Sequence, residues 1–144
     1  MSDRGPRAPF RVLPALADDN RFFWTSGADG RLRFLRCATC GYYLHPPSPR
    51  CPRCGGTSLA PEPVSGRGTV HSFTVNHQPW DGDPEPYALV LVELVEQVGL
   101  RLTSNLVGCA PDDARIGLPV RVRFERRDTG AEPVWFPLFE PDAR

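Results

Sequence analysis

Lysine is absent from this sequence: all 17 basic residues are arginine, and 17 acidic residues balance them to a net charge of zero. The absence of lysine excludes catalysis through a lysine Schiff base. A zero net charge disfavours nucleic-acid binding, because proteins that bind phosphates carry a basic excess. No apolar run approaches the roughly 20 residues that span a bilayer, and the first residues lack the apolar core of a secretory signal. We therefore expect a soluble, cytoplasmic protein.

Long helices are also not expected, because 17 prolines and 13 glycines among 144 residues indicate many turns. A chain of this length can hold one ordinary core, or one modest core and a small module stabilised by a metal.

Four of the five cysteines form two Cys-x-x-Cys-Gly motifs, with Cys37 and Cys40 in the first and Cys51 and Cys54 in the second. A two-residue spacer lets both thiolates of a turn reach one metal, and the glycine supplies the positive φ that directs N–H groups at the sulfurs. The pattern therefore predicts a zinc ribbon. A site with four thiolates has no open position for water or substrate, so we expect a structural role.

Three alternatives concern the same cysteines. Iron fits the same sulfurs, because the motifs resemble those of rubredoxin. Disulfides are disfavoured by the lack of a signal peptide and by Cys109, which would have no partner and is expected to be a small buried residue. His45 is expected to be a packed or surface histidine, since four cysteines complete the shell.

The sequence divides into three segments: an N-terminal arm and helix (1–30), the ribbon (31–63) and a mainly β segment (64–144). We expect the helix at residues 15–24 and a linker at 55–63. Five strands are expected at 69–77, 87–95, 100–106, 120–125 and 134–138. The second of them is nearly all apolar and is predicted to be covered on both faces. Five short strands separated by glycine and proline favour a small closed barrel of the OB type.

The order of several short motifs resembles a known family over about residues 15–140. After the cysteine motifs come Ser-Gly-Arg-Gly-Thr-Val at 65–70, Pro86-Tyr87, Asn-Leu-Val-Gly at 105–108 and Ile-Gly-Leu-Pro-Val at 116–120. This series is similar to the acyl-CoA-associated family, long catalogued as a domain of unknown function, that joins a zinc ribbon to an OB-fold barrel.

The resemblance implies a non-catalytic accessory subunit that binds thiolase-fold enzymes or MaoC-type enoyl-CoA hydratases. Such complexes act in lipid, polyketide and steroid side-chain catabolism, and in one case the partner is a thiolase-like retro-aldolase. The chain would help to stabilise its partner and to complete the acyl-CoA site. The candidate contacts with the partner or with CoA are exposed-looking aromatics and arginines: Phe22, Phe23, Trp24, Arg36, Arg53, Arg67 and Trp80.

Each of these candidates has a second interpretation. The helix aromatics would otherwise cap the main core. The five arginines between residues 31 and 53, a stretch without Asp or Glu, would otherwise offset the charge of the thiolates. Trp80 lies in an eleven-residue connection (76–86), a length that is often functional between strands.

Two other functions compete with the accessory subunit. OB barrels commonly stack single-stranded nucleic acid on aromatic side chains, but the zero net charge disfavours this. An enzyme would need an acid–base pair, for which His71 or His77 with Asp81 and Asp83 are the candidates. The two histidines are expected in one strand about 20 Å apart, which is too far for one site.

Overall fold

The computed structural model describes residues 11–78 and 84–143 and shows a mainly β protein in which a three-stranded sheet precedes a closed five-stranded barrel. The elements in chain order are helix α1 (Arg21–Trp24), a 3₁₀ turn (Ser26–Asp29), strands β1 (Arg33–Cys37), β2 (Tyr43–Leu44), β3 (Leu59–Pro63), β4 (Arg67–Asn76), β5 (Tyr87–Leu94) and β6 (Arg101–Leu106), a second 3₁₀ turn (Pro111–Asp113), and strands β7 (Pro119–Arg127) and β8 (Val134–Pro141). Within the described ranges, no helix has the length and apolar character needed to cross a membrane.

The barrel has the strand order β4-β5-β6-β8-β7 and closes through β4 and β7, so the predicted five-stranded OB barrel is confirmed. Buried side chains from four of its strands fill the interior; Val70, Val92, Val120 and Phe139 are at most 1% exposed. Strands β6 and β8 are parallel; their backbones pair at Leu106 and Phe139, and the Ser104 hydroxyl donates to the Pro137 carbonyl at 2.7 Å.

The ribbon sheet has the order β2-β1-β3, and its third strand corrects the prediction of a linker. Residues 59–63 pair in register with β1, for example Pro61 with Leu35 and Glu62 with Phe34. Two of these residues, Pro61 and Pro63, are tolerated because β3 is an edge strand, where a missing N–H on the outer side costs no ladder bond.

Strand β5 is also not the doubly covered strand that its composition predicted. Its residues alternate between buried positions such as Ala88 and Val90 and outward positions, and Tyr87 is 43% and Leu89 39% exposed. The outward face of this strand therefore carries apolar side chains that the described residues leave partly exposed.

The predicted helix at 15–24 is present only in its last turn. The side chain of Asn20 accepts a bond from the Ala17 N–H at 2.7 Å and donates one to the Ala15 carbonyl at 3.1 Å. An Asn side chain that satisfies backbone groups in this way competes with helical bonding. The preceding residues therefore run without regular structure to α1.

The ribbon and the barrel share one core. Leu32 and Phe34 of the ribbon belong to the same cluster of buried residues as the barrel valines. Gln97, in the β5–β6 turn, bonds the edge of β2: its Oε1 accepts from the Tyr43 N–H at 2.9 Å, and its Nε2 donates to the Tyr43 carbonyl at 2.8 Å. The Gln97 amide thus makes the two hydrogen bonds that a neighbouring strand would make with Tyr43, and it holds the ribbon against the barrel.

Candidate metal centre and adjoining cavity

The four predicted ligands converge on one point. The sulfur atoms of Cys37, Cys40, Cys51 and Cys54 all lie within 4.8 Å of one another, and the Cys37–Cys54 and Cys40–Cys51 pairs are each 3.6 Å apart. A tetrahedral ion with sulfur ligands at about 2.3 Å holds its sulfurs about 3.8 Å apart. The donor set and its geometry therefore fit a four-coordinate metal such as zinc or iron.

The two metal-binding turns have the same local structure. In each, the glycine after the second cysteine has a positive φ (78° at Gly41, 76° at Gly55) and its N–H bonds the carbonyl of the first cysteine at 2.8 Å. The arginine that precedes each motif then closes the turn: Arg36 Nε donates to the Gly41 carbonyl at 2.9 Å, and Arg50 Nη1 to the Gly55 carbonyl at 3.3 Å. The repeated unit is thus Arg-Cys-x-x-Cys-Gly, in which Arg50 has a structural role that its sequence position alone did not indicate.

Backbone N–H groups lower the thiol pKa of two of the four cysteines, Cys37 and Cys51. The N–H of Cys40 is the main cause that lowers the pKa of Cys37 to about 6. Burial raises the pKa of Cys51, but the N–H groups of Cys54 and Arg53 outweigh it and the net direction is down. A lowered thiol pKa favours the thiolate, which is the form that binds a metal.

His45 takes no part in this centre, as the sequence predicted. Its ring stacks on Phe23 with centroids 5.1 Å apart and contacts the edge of Phe34 at 5.0 Å. Burial lowers its pKa to about 4, so the imidazole is neutral at physiological pH. Cys109, predicted to be buried, is half-buried and packs against the core.

The aromatic residues of α1 cap the core. Phe23 is 6% exposed, which makes it a core residue and corrects its assignment as a contact with a partner. Phe22 and Trp24 are half-buried and pack against the same cluster, and Trp24 meets Phe136 edge-on at 5.4 Å. Trp80 lies outside the described residues.

The three candidate arginines differ in their surroundings. Arg36 also bonds Glu62 at 3.1 Å and lies over the Tyr43 ring at 4.5 Å, so it acts within the ribbon. Arg67 is exposed and lies 3.8 Å from Asp142. Arg53 is exposed at the second metal-binding turn. Arg53 and Arg67 keep a surface position from which a partner can be reached.

A cavity of about 640 Å³ lies beside the ribbon and was not foreseen from the sequence. Four parts of the chain enclose it: the segment before α1, α1 itself, the residues after β2, and the adjoining stretches of β6 and β8. Residues from every part line it, among them Arg11, Trp24, His45, Thr103 and Phe136. No local motif signals such a site, because its walls come from positions up to 127 residues apart in sequence.

A closed four-sulfur ribbon joined to a small OB barrel defines a class of two-module β proteins whose metal site is structural. Comparison with protein families agrees: the ChsH2 rubredoxin-like zinc ribbon domain matches residues 24–60, and the ChsH2 C-terminal OB-fold domain matches residues 61–125.

Three proteins illustrate the similarity. A solved structure described as the Ltp2-ChsH2(DUF35) aldolase contains a chain that is 38% identical, with a TM-score of 0.76 over 90% of this chain and 98% of that one. The benzoylsuccinyl-CoA thiolase subunit BbsA of Thauera aromatica is 36% identical over 80% of each chain. A probable enoyl-CoA hydratase alpha subunit of Thermomonospora curvata is 38% identical over 98% of this chain and 43% of its own length.

The chain belongs to the DUF35 family of zinc-ribbon and OB-fold proteins. It spans about two fifths of the length of the hydratase alpha subunits that it matches.

Proposed function

We propose that the chain is a non-catalytic accessory subunit that binds a thiolase-fold enzyme acting on acyl-CoA. The observation that carries this proposal is the closed metal site. Among the described residues, the four cysteines are the one cluster of His, Cys, Asp or Glu able to hold a metal, and they fill all four positions of a tetrahedral ion. A metal without a vacant position holds a fold and does not activate a substrate. The names of relatives in thiolase, aldolase and hydratase complexes support the class of partner.

Several finer assignments belong to the same proposal. The metal is zinc, the protein acts in a reducing cytoplasm that keeps the thiols free, and a MaoC-type hydratase is a second partner. One of the matched hydratase alpha subunits is named for 3-oxo-4,17-pregnadiene-20-carboxyl-CoA, and this name supports a steroid side-chain acyl-CoA as substrate. The similar chain of the aldolase structure supports a retro-aldolase as the partner enzyme.

The outer face of β5 is the docking surface that we propose for this partner. We call it the β5 stripe: Tyr87 and Leu89, 43% and 39% exposed, with the half-buried Leu91 in the same row. Large exposed apolar side chains in one row are typical of protein interfaces. The stripe lies on the barrel, and Arg67, on the neighbouring strand β4, adds a cation for acidic residues of the partner.

Reconstitution with the partner tests the proposal. We expect the purified chain to turn over no acyl-CoA, and the thiolase-fold enzyme that co-purifies with it to lose activity or solubility when it is expressed alone. Full activity and stability of the isolated partner would contradict the proposal, as would turnover by this chain in isolation.

A pair of variants tests the docking surface. Leu89→Arg places a charge in the middle of the β5 stripe, and we expect the dissociation constant for the partner to rise at least about 100-fold, as for loss of an interface anchor. Val98→Arg puts the same side chain at a turn position that is 90% exposed, and it should leave affinity within about threefold. Equal affinities of the two variants would place the interface elsewhere.

A further inference from the structure

The cavity beside the ribbon has the size and lining of a small-molecule site. Its volume of about 640 Å³ falls in the range of ligand pockets, which run from roughly 300 to 1,000 Å³. Aromatic rings form its walls in fixed orientations: Trp24 meets Phe23 edge-on at 5.0 Å and Phe136 edge-on at 5.4 Å. Pro46 and Pro47 of the ribbon add further rigid apolar surface.

The charged groups of the lining are neutralised by neighbours within the chain. Arg11 Nε bonds Glu125 at 2.9 Å, and its Nη1 bonds Asn105 at 2.8 Å. Arg101 bonds Glu93 at 3.3 Å. The cavity therefore presents no unbalanced charge to a ligand, and this disfavours phosphates and carboxylates.

Most uncharged polar side chains that line the cavity also have hydrogen-bond partners within the chain, and two do not. Asn20 bonds the backbone of the segment before α1, and the Ser104 hydroxyl donates to the Pro137 carbonyl at 2.7 Å. His45 and the Thr103 hydroxyl have no hydrogen-bond partner in the described part of the chain. Every fully buried side-chain nitrogen or oxygen in the described residues has a hydrogen-bond partner. The unpaired imidazole nitrogens of His45 are therefore not fully buried, and they reach the open space of the cavity that His45 lines.

We propose that this cavity binds an uncharged, mainly hydrocarbon ring system that carries a carbonyl or hydroxyl oxygen, with the His45 imidazole as its hydrogen-bonding partner. The neutral lining selects against charged ligands, and a rigid ring system loses less conformational entropy on binding than a flexible chain of equal area. A neutral imidazole supplies one donor and one acceptor, which suits a ring ketone or alcohol.

The cavity lies next to the proposed docking surface. Thr103, which lines it, pairs with Leu91 of the β5 stripe across the β5–β6 ladder. If the proposed function holds, the ligand is the hydrocarbon end of an acyl group whose thioester is held by the partner. Binding by the isolated chain does not depend on that function and can be measured without the partner.

The test uses the metal-loaded chain and androst-4-ene-3,17-dione, a neutral four-ring diketone, as the probe. Titration calorimetry should give saturable binding, and amide spectra should shift at Thr103 and at the Trp24 indole N–H. Thr103→Trp fills the cavity from the outer face of β6 and should weaken binding at least about 20-fold. Thr69→Trp, an exposed threonine on the outer face of β4 away from the lining, should bind within about twofold of the original chain.

His45→Phe keeps a flat ring in place and removes its hydrogen bonds, so affinity for the diketone should fall about 2- to 10-fold, the range for one net hydrogen bond. Absence of probe binding by the original chain would overturn the inference, as would equal binding by Thr103→Trp and Thr69→Trp. Loss of partner binding in Thr103→Trp, combined with no probe binding by the original chain, would assign the cavity to a segment of the partner. Failure of the proposed function alone would leave probe binding intact.

Discussion

At the scale of the residue, the protonation state of His45, which packs on Phe23 and Phe34, makes the stability of the fold depend on pH. Its ring is neutral in the folded chain because burial lowers its pKa from 6.5 to about 4. An unfolded chain takes up this proton near pH 6.5, so the unfolded state binds more protons between pH 6.5 and 4. The free energy of unfolding is therefore unaffected by His45 above pH 6.5 and decreases as the pH falls towards 4.

At pH 5 the free energy of unfolding is expected to be about 2 kcal/mol lower than at pH 7 because of His45, since each unit of pKa difference corresponds to about 1.4 kcal/mol. His45→Phe removes this contribution. Urea unfolding at pH 7 and pH 5 with saturating zinc should show a decrease about 2 kcal/mol smaller in the variant. Metal loss affects both proteins and cancels in the comparison. The same pH dependence in both would mean that His45 is protonated in the folded protein.

At the scale of the element, the side chain of Gln97 adds a second link between the ribbon and the barrel beside their shared core, because it bonds the free edge of β2. In Gln97→Ala, the N–H and carbonyl of Tyr43 lose both bonds from this side chain. We expect a decrease of about 1–2 kcal/mol in the free energy of unfolding, because two modest hydrogen bonds are replaced by bonds to water. Hydrogen exchange at the Tyr43 amide should accelerate.

Val98→Ala is the matched control for this prediction, because Val98 lies next to Gln97 and is 90% exposed. It should change neither the exchange rate of Tyr43 nor the free energy of unfolding by more than about 0.5 kcal/mol. Unchanged exchange in Gln97→Ala would show that the shared core alone orients the ribbon.

The same elements show what the sequence could and could not predict. The metal centre was predictable because its ligands and glycines are set by local spacing, and the barrel strands because apolar residues alternate along β6 and β7. The edge strand β3 was not predicted, because prolines are depleted in strands and are tolerated only at edges. The side-chain bonds of Asn20, which shorten the helix, have no periodic signature. The cavity escaped prediction because it is made of residues brought together only by the docking of ribbon, helix and barrel.

At the scale of the whole molecule, the metal stabilises more than the ribbon. Leu32 and Phe34 lie on either side of Arg33 at the start of β1 and are fully buried in the core that the ribbon shares with the barrel. Release of the metal therefore weakens a contact of the barrel as well as the ribbon. The pairing between β4 and β5 lies entirely within the barrel and does not depend on the ribbon.

Two single substitutions distinguish the effect of losing the metal from the effect of losing a thiol elsewhere in the chain. Cys40→Ser removes an exposed ligand with little change in packing, whereas Cys109→Ser alters a half-buried thiol outside the centre. We expect one metal per chain in the original protein and in Cys109→Ser, and loss of tight binding in Cys40→Ser. Because structural zinc contributes directly to folding, Tm should fall by about 10 °C or more in Cys40→Ser. Exchange protection should be lost from β1 and β2 first and kept longest in β4 and β5. Equal Tm values for the two variants would mean that the shared core, and not the ion, holds the ribbon in place.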